Sequence, residues 1–255
     1  MRFAPHLLIL AGLALSAPAE ARQADDPIRF LLWPVEDVRA ISGGLNLKSA
    51  GIATGAAAGI WLMSRHDESL TDWANDLESN RGLRLAQEFG HARVVRPTLG
   101  VLLVGRMMTG NTRSQDASFT ALESVILANL VTNSLKSVFG RARPWENRGS
   151  GSFSPFSGHR SMPSGHATTA FASLTPFALY YGGIVGGGLF LLATTTAFSR
   201  MATNAHWFSD VVAGSLIGFS TGWVLTRRHV AAGRVTVRPG PASLAVTVSL
   251  NRPRP

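Results

Sequence analysis

The chain has 255 residues, a formal net charge of +9, and 15% charged against 45% apolar residues, enough for one sizeable domain with a buried core. It contains no cysteine, which excludes disulfides and thiolate metal sites. The positive charge is spread out, with much of it after Arg227, and it suits an anionic substrate or membrane headgroups better than nucleic acid.

Taken in chain order, residues 1–21 read as a signal peptide. Arg2 supplies the positive start, Leu7 to Leu15 a short apolar run, and Ala19 or Ala21 a small-residue cleavage position. Cleavage there places the mature protein in the periplasm; an uncleaved anchor is the alternative. Residues 22–116 follow as an N-terminal helical region. Within it, 25–48 is mixed and interrupted at Trp33-Pro34 and Gly43-Gly44, and the uncharged, Ala- and Gly-rich stretch 49–64 predicts a helix. Residues 65–96 carry many charges at helical spacing, which predicts a solvated amphipathic segment. The acidic residues between 67 and 88 lack metal-ligand spacing and read as solvated charge. Pro97 opens a short apolar run at 98–104.

Residues 117–228 form the expected catalytic core. Apolar residues at 119, 122, 126, 130, 135 and 138 predict a helix over 119–139, with Asn129, Asn133 and Lys136 as a polar stripe and Gly140 as its end. A loop rich in Gly, Ser and Pro runs over 141–163. The uncharged stretch 167–199 divides into two helices at Gly182-Gly183 and Gly186-Gly187-Gly188, and a last helix covers 206–225, closed by the cations Arg227-Arg228. In the tail, 229–255, apolar residues alternate on either side of Pro239-Gly240-Pro241, which predicts a small β-hairpin. The fold class is therefore all-α, a helical bundle with a C-terminal hairpin. Most of the uncharged helices fall short of the roughly 20 residues a membrane span needs, which favours a periplasmic bundle over an inner-membrane protein with a periplasm-facing site.

Three short segments hold the chemistry. Arg143 and Arg200 each offer a planar fork of donors to two phosphate oxygens, and Lys136 adds a compact charge. Ser164, Gly165 and His166 precede a helix, so their backbone N–H groups and the helix dipole favour an anion. His206 and Asp210 are four apart and share a helical face, so the carboxylate can fix one ring nitrogen while the other attacks phosphorus. His166 can protonate the leaving oxygen and later take a proton from water. His159 repeats the Ser-Gly-His tripeptide mid-loop and reads as a rim residue. No second His/Asp/Glu cluster shows ligand spacing, so neither a metal nor another cofactor is expected. Trp145, Phe153, Phe156 and Trp207 could face a lipid substrate or serve only as packing residues.

The patterns Lys136-x6-Arg143-Pro144, Pro163-Ser164-Gly165-His166 and Ser199-Arg200-x5-His206-x3-Asp210 closely resemble the superfamily of type 2 phosphatidic acid phosphatases, bacterial class A acid phosphatases and vanadium haloperoxidases. The resemblance covers roughly residues 118–228. It implies an α-helical bundle and a metal-free phosphatase acting on soluble or lipid-linked phosphomonoesters or pyrophosphates through a phosphohistidine. In the roles it implies, Lys136, Arg143, Ser164, Gly165 and Arg200 bind phosphate, His166 is the acid, His206 the nucleophile and Asp210 its orienter. The resemblance also allows a vanadate-dependent haloperoxidase with His206 as axial ligand, and a separate alternative is a phosphate-binding envelope protein without catalysis.

Overall fold

A computed structural model describes residues 29–44, 46–77, 80–109, 111–232, 235–240 and 243–248. The expected signal peptide lies outside the described residues. The helices are α1 (Arg29–Gly43), α2 (Leu47–Met63), α3 (Asp67–Asn75), α4 (Arg81–Ala86), α5 (Ala92–Met108), α6 (Thr112–Phe139), α7 (Gly165–Tyr181), α8 (Gly183–Ala202) and α9 (Phe208–Ala232). Short 3₁₀ turns occupy Ser64–His66, Gln87–Gly90 and Pro144–Glu146. The expected hairpin is present as β1 (Val235–Gly240) and β2 (Ser243–Val248), paired antiparallel.

Local chemistry sets the helix ends. Asn46 caps α2 by accepting from the N–H groups of Lys48 and Ser49, while Ser49 accepts from the N–H of Asn46. Asn111 caps α6 through the N–H of Ser114, and Gly140 closes α6 at φ 53°, the left-handed position that favours glycine. Gly182 and Gly183, at φ 63° and 52°, break the long apolar stretch between α7 and α8, whereas Gly186, Gly187 and Gly188 lie inside α8. Two elements differ from the sequence reading. Pro97 sits within α5 instead of opening a run, and Pro34 sits within α1 instead of interrupting it. Each is the sixth residue of its helix, in the second turn, where it removes a single i→i−4 bond near the N-terminal end.

α7 is the central helix, packed on α6, α8 and α9. Its closest neighbour is α9, where Gly214, Gly218 and Gly222 recur every fourth residue. A Cβ at Gly214 or Gly218 would fall 2.3 Å from the carbonyl oxygen of Ser164 or Thr168, and one at Gly222 3.0 Å from Thr175 Cβ. These small residues let the two backbones approach as closely as helix axes can. The consequence is positional: the N–H of Ser164 donates to the carbonyl of Asp210 at 2.9 Å, which fixes one motif against another. The C-terminal ends of α6 and α8 and the N-terminal ends of α7 and α9 meet at one end of the bundle. At the other end, α1 stacks Phe30 on Phe119 and Trp33 on His229.

The outer surface is strongly apolar. α2 buries none of its residues, and Ile52, Trp61, Val101, Ile184 and Leu191 are more than half exposed. α8 and α9 contain windows long and apolar enough to cross a membrane, Gly183–Ala202 and Phe208–Val230.

Candidate active site

Lys136 lies in the last turn of α6, buried, with Nζ donating to the carbonyl oxygens of Arg160 at 2.7 Å and Ser161 at 3.3 Å. The polar stripe differs in detail from the sequence reading. Asn129 and Thr132 are buried beside Lys136 and bond Thr169 and Thr168 of α7, whereas Asn133 points to solvent. Burial first, and the charge of Arg143 second, pull Lys136 down to about 7. Burial likewise lowers Arg143 in the following loop.

Ser164 is the N-cap of α7, fully buried, and its hydroxyl has no hydrogen-bond partner among the described residues. The first N–H groups of α7, at Gly165 and His166, lie beside it without intrahelical partners, as in any helix start. Arg200, from the last turn of α8, donates from Nη1 to Gln87 Oε1 at 2.8 Å, while its buried Nε has no partner among the described residues. Hydroxyl, guanidinium and helix N-terminus thus present unengaged donors in one place.

His206 is buried in the short connection between α8 and α9, and its N–H donates to the carbonyl of Arg200 at 3.1 Å. Its Nδ1 lies 3.5 Å from Asp210 Oδ2, too far for a full hydrogen bond. Catalytic contacts commonly tighten only once substrate is bound. Burial pushes His206 down to about 3, against the opposing pull of Asp210, so its ring is neutral at ordinary pH. Because Nδ1 faces Asp210, Nε2 is the nitrogen left for attack.

Asp210 is itself held on both oxygens. Arg141 Nη1 donates to Oδ1 at 2.8 Å, the N–H of Trp207 to Oδ2 at 3.1 Å, and the hydroxyl of Ser161 also to Oδ2. Arg141 then reaches Asp67 through Nη2 at 2.6 Å, and Asp67 accepts from both the N–H and the hydroxyl of Ser209 at 2.7 Å. Asp67 is therefore not solvated charge, as its acidic surroundings in sequence suggested, but fully buried. A buried carboxylate is stable only with such partners, and its partner comes from 74 residues away.

His166, in the first turn of α7, has its Nε2 3.4 Å from Nε2 of His91, the residue preceding α5. Burial, then Arg200, His91, His206 and Lys136 together hold His166 down to about 2. An anion bound among these groups would oppose their repulsion and raise His166 again. Gly90 makes this contact sterically feasible, because a Cβ there would fall 2.7 Å from His166 Cβ. Gly90→Ala is expected to displace His166 and lower kcat about tenfold or more with little change in melting temperature, measured by steady-state kinetics beside a thermal scan.

The structure thus gathers Lys136, Arg143, Ser164, Gly165, His166, Arg200, His206 and Asp210 at one end of the bundle. It adds Asp67, His91, Arg141 and Ser161, which carry no motif signal; only Arg141, two residues before Arg143, sits within a recognised segment. His159 pairs with Glu146 at 2.5 Å at the rim. Among the aromatics, Trp207 is a packing residue, buried with Nε1 donating to the carbonyl of Ala142, whereas Trp145, Phe153 and Phe156 are exposed.

A lipid A 1-phosphatase of Rhizobium etli is 38% identical over 39% of this chain and 44% of its own length. One from Porphyromonas gingivalis is 36% identical over 40% of this chain and 21% of its own. The chain therefore matches less than half the length of each of these relatives. The crystal structure of Aquifex aeolicus LpxE superposes with a TM-score of 0.49 at 23% identity, covering 63% of this chain and 94% of that one. The profile of the PAP2 superfamily matches residues 117–234, the stretch that carries all three motifs.

Proposed function

We propose that the protein is a phosphomonoesterase acting on a lipid-linked phosphate through a phosphohistidine. The observation that carries this reading is the convergence of three cations and two histidines on unengaged buried donors. Lys136, Arg143 and Arg200, with Ser164 and the first N–H groups of α7, hold the phosphoryl oxygens. His206 Nε2 attacks phosphorus, forming the P–N bond as the ester P–O bond breaks. The leaving oxygen takes the proton of His166. Water then attacks the phosphohistidine, giving its proton to His166 and releasing inorganic phosphate and free His206. Asp210 steadies the His206 ring and stabilises its positive charge in both steps.

A lipid substrate is supported by the relatives, which are lipid A 1-phosphatases, and by a groove of about 1060 Å³ beside the site. Ile52, Ile60 and Trp61 of α2 line it with Phe153, Pro163 and Leu216, an apolar channel suited to acyl chains. The testing experiment is phosphate release from a lipid 1-phosphate and from a soluble phosphomonoester, with chelator present throughout. Release from neither would overturn the reading, and release from the soluble ester alone would overturn the lipid assignment.

The same apolar exterior supports residence in the membrane, with α8 and α9 crossing it and the site at one face. The chain has no native cysteine, so single cysteines report cleanly. Arg148→Cys, in the loop beside the site, and Ile184→Cys, at the opposite end of α8, are expected to lie on opposite sides. One should react with an impermeant maleimide in intact cells and the other only after permeabilisation.

The charge state of Lys136 gives the anion site a pH dependence. Its pKa is lowered to about 7, so the cation is present below that pH and lost above it. Sulfate, whose charge does not change near neutrality, is expected to inhibit progressively less as pH rises past 7. Its inhibition constant should increase up to about tenfold per pH unit, and Lys136→Met should flatten the profile.

A further inference from the structure

At the end of the bundle away from the active site, three side chains distant in sequence converge: Asp37 of α1, Glu123 of α6 and His229 of α9. From Asp210 to His229 the helix rises about 28 Å, so this cluster takes no part in the chemistry above. All three residues are buried, and one ligating atom from each falls within 4.8 Å of the others.

The hydroxyl of Thr120 places a proton on Nδ1 of His229. Thr120 Oγ1 donates its only proton to the carbonyl of Asp116 at 2.6 Å, so toward His229 it can only accept. The 2.7 Å contact between Thr120 Oγ1 and His229 Nδ1 is then an N–H donated by the ring. Stacking on Trp33 at 3.9 Å holds the ring plane. In the neutral imidazole, Nε2 is a lone pair, and it points at Asp37 Oδ2 at 2.7 Å and Glu123 Oε2 at 3.7 Å. Three electron-pair donors facing one another repel unless something positive lies between them.

Glu123 provides the second, independent observation. It is 7% exposed, and neither carboxylate oxygen has a hydrogen-bond partner among the described residues. A carboxylate so placed is costly without a cation or a proton. Arg228 does not serve it: its Nε bonds Asp37 Oδ1, on the far side of that carboxylate, and leaves Oδ2 facing inward.

We propose that Asp37 Oδ2, Glu123 and His229 Nε2 form a divalent-cation site, with Zn²⁺ preferred, that ties α1 to α6 and α9. One imidazole with two carboxylates suits Zn²⁺, with Mn²⁺ next, whereas Ca²⁺ and Mg²⁺ want all-oxygen shells of higher number. Bonds of about 2.0–2.2 Å put tetrahedral ligand atoms roughly 3.3 Å apart, inside the spread of distances found here, so small rotamer changes close the shell. Thr120 is the outer partner that orients the metal-binding histidine, and water completes the coordination.

The test uses the full chain, purified in detergent, stripped with EDTA and titrated with ZnCl₂. One equivalent is expected to bind with micromolar or tighter affinity and to raise the melting temperature by several degrees. Glu123→Gln should weaken binding about a hundredfold while the metal-free variant melts no lower than the wild type, which separates lost ligation from lost fold. His206→Ala should bind Zn²⁺ undiminished, which separates this site from the catalytic histidines. No stoichiometric binding, or equal binding by Glu123→Gln, would overturn the proposal and leave a proton, shared between His229 and the carboxylates, as what holds the cluster.

Discussion

His206→Ala is expected to abolish phosphate release, lowering kcat by about 10⁴-fold or more, while anion binding survives. The two halves of this expectation rest on different residues. In the proposed mechanism the oxyanion is held by Lys136, Arg143, Arg200, Ser164 and the start of α7, which hydrogen-bond other groups than the His206 ring among the described residues. Removing the imidazole takes away the only group the proposed reaction uses to bond phosphorus. Water in its place must attack without a comparable base, because Asp210 is saturated by Arg141, Trp207 and Ser161. The measurement is twofold: phosphate release under saturating substrate, and sulfate or vanadate binding to the variant by calorimetry. A label from ³²P-substrate retained on acid-quenched wild-type protein and absent from the variant would identify the phosphohistidine directly. Undiminished turnover by His206→Ala would remove the mechanism.

The motif residues were legible in the sequence because they are constrained by type and spacing together. A fork of donors needs arginine, a close approach needs glycine, and a His-x-x-x-Asp pair needs one helical face. Helix ends at Gly140 and Gly182 were legible for the same reason, since a left-handed residue without a Cβ has few substitutes. What escaped were residues whose role depends on a partner far along the chain. Asp67 sits among exposed acids and looks like them until Arg141 is brought to it. His91 and Gln87 have no local pattern at all, yet they touch His166 and Arg200. Asp37, Glu123 and His229 lack ligand spacing because three separate helices supply them, so no sequence pattern brings them together. Short-range pattern reports what a helix can present; it does not report what the next helix presents to it. The glycines at 214, 218 and 222 that line the α7–α9 seam escaped as well, because their spacing does not say which helix they face.

Arg141→Met is expected to lower stability by about 3–5 kcal/mol and to abolish most activity, although Arg141 contacts no substrate in the proposed mechanism. Its guanidinium is buried between two fully buried carboxylates, donating to Asp67 on one side and Asp210 on the other. Methionine fills much of the volume but leaves both carboxylates in low dielectric without their cation. A melting temperature about 10 °C lower follows for a chain of this size. Asp67→Asn in the same chain removes one of the two stranded charges and should restore part of the stability. It should restore little of the activity, since Asp210 still lacks the arginine that orients it toward His206. That split, stability rescued without turnover, distinguishes a residue that positions the catalytic pair from one that only fills the interior.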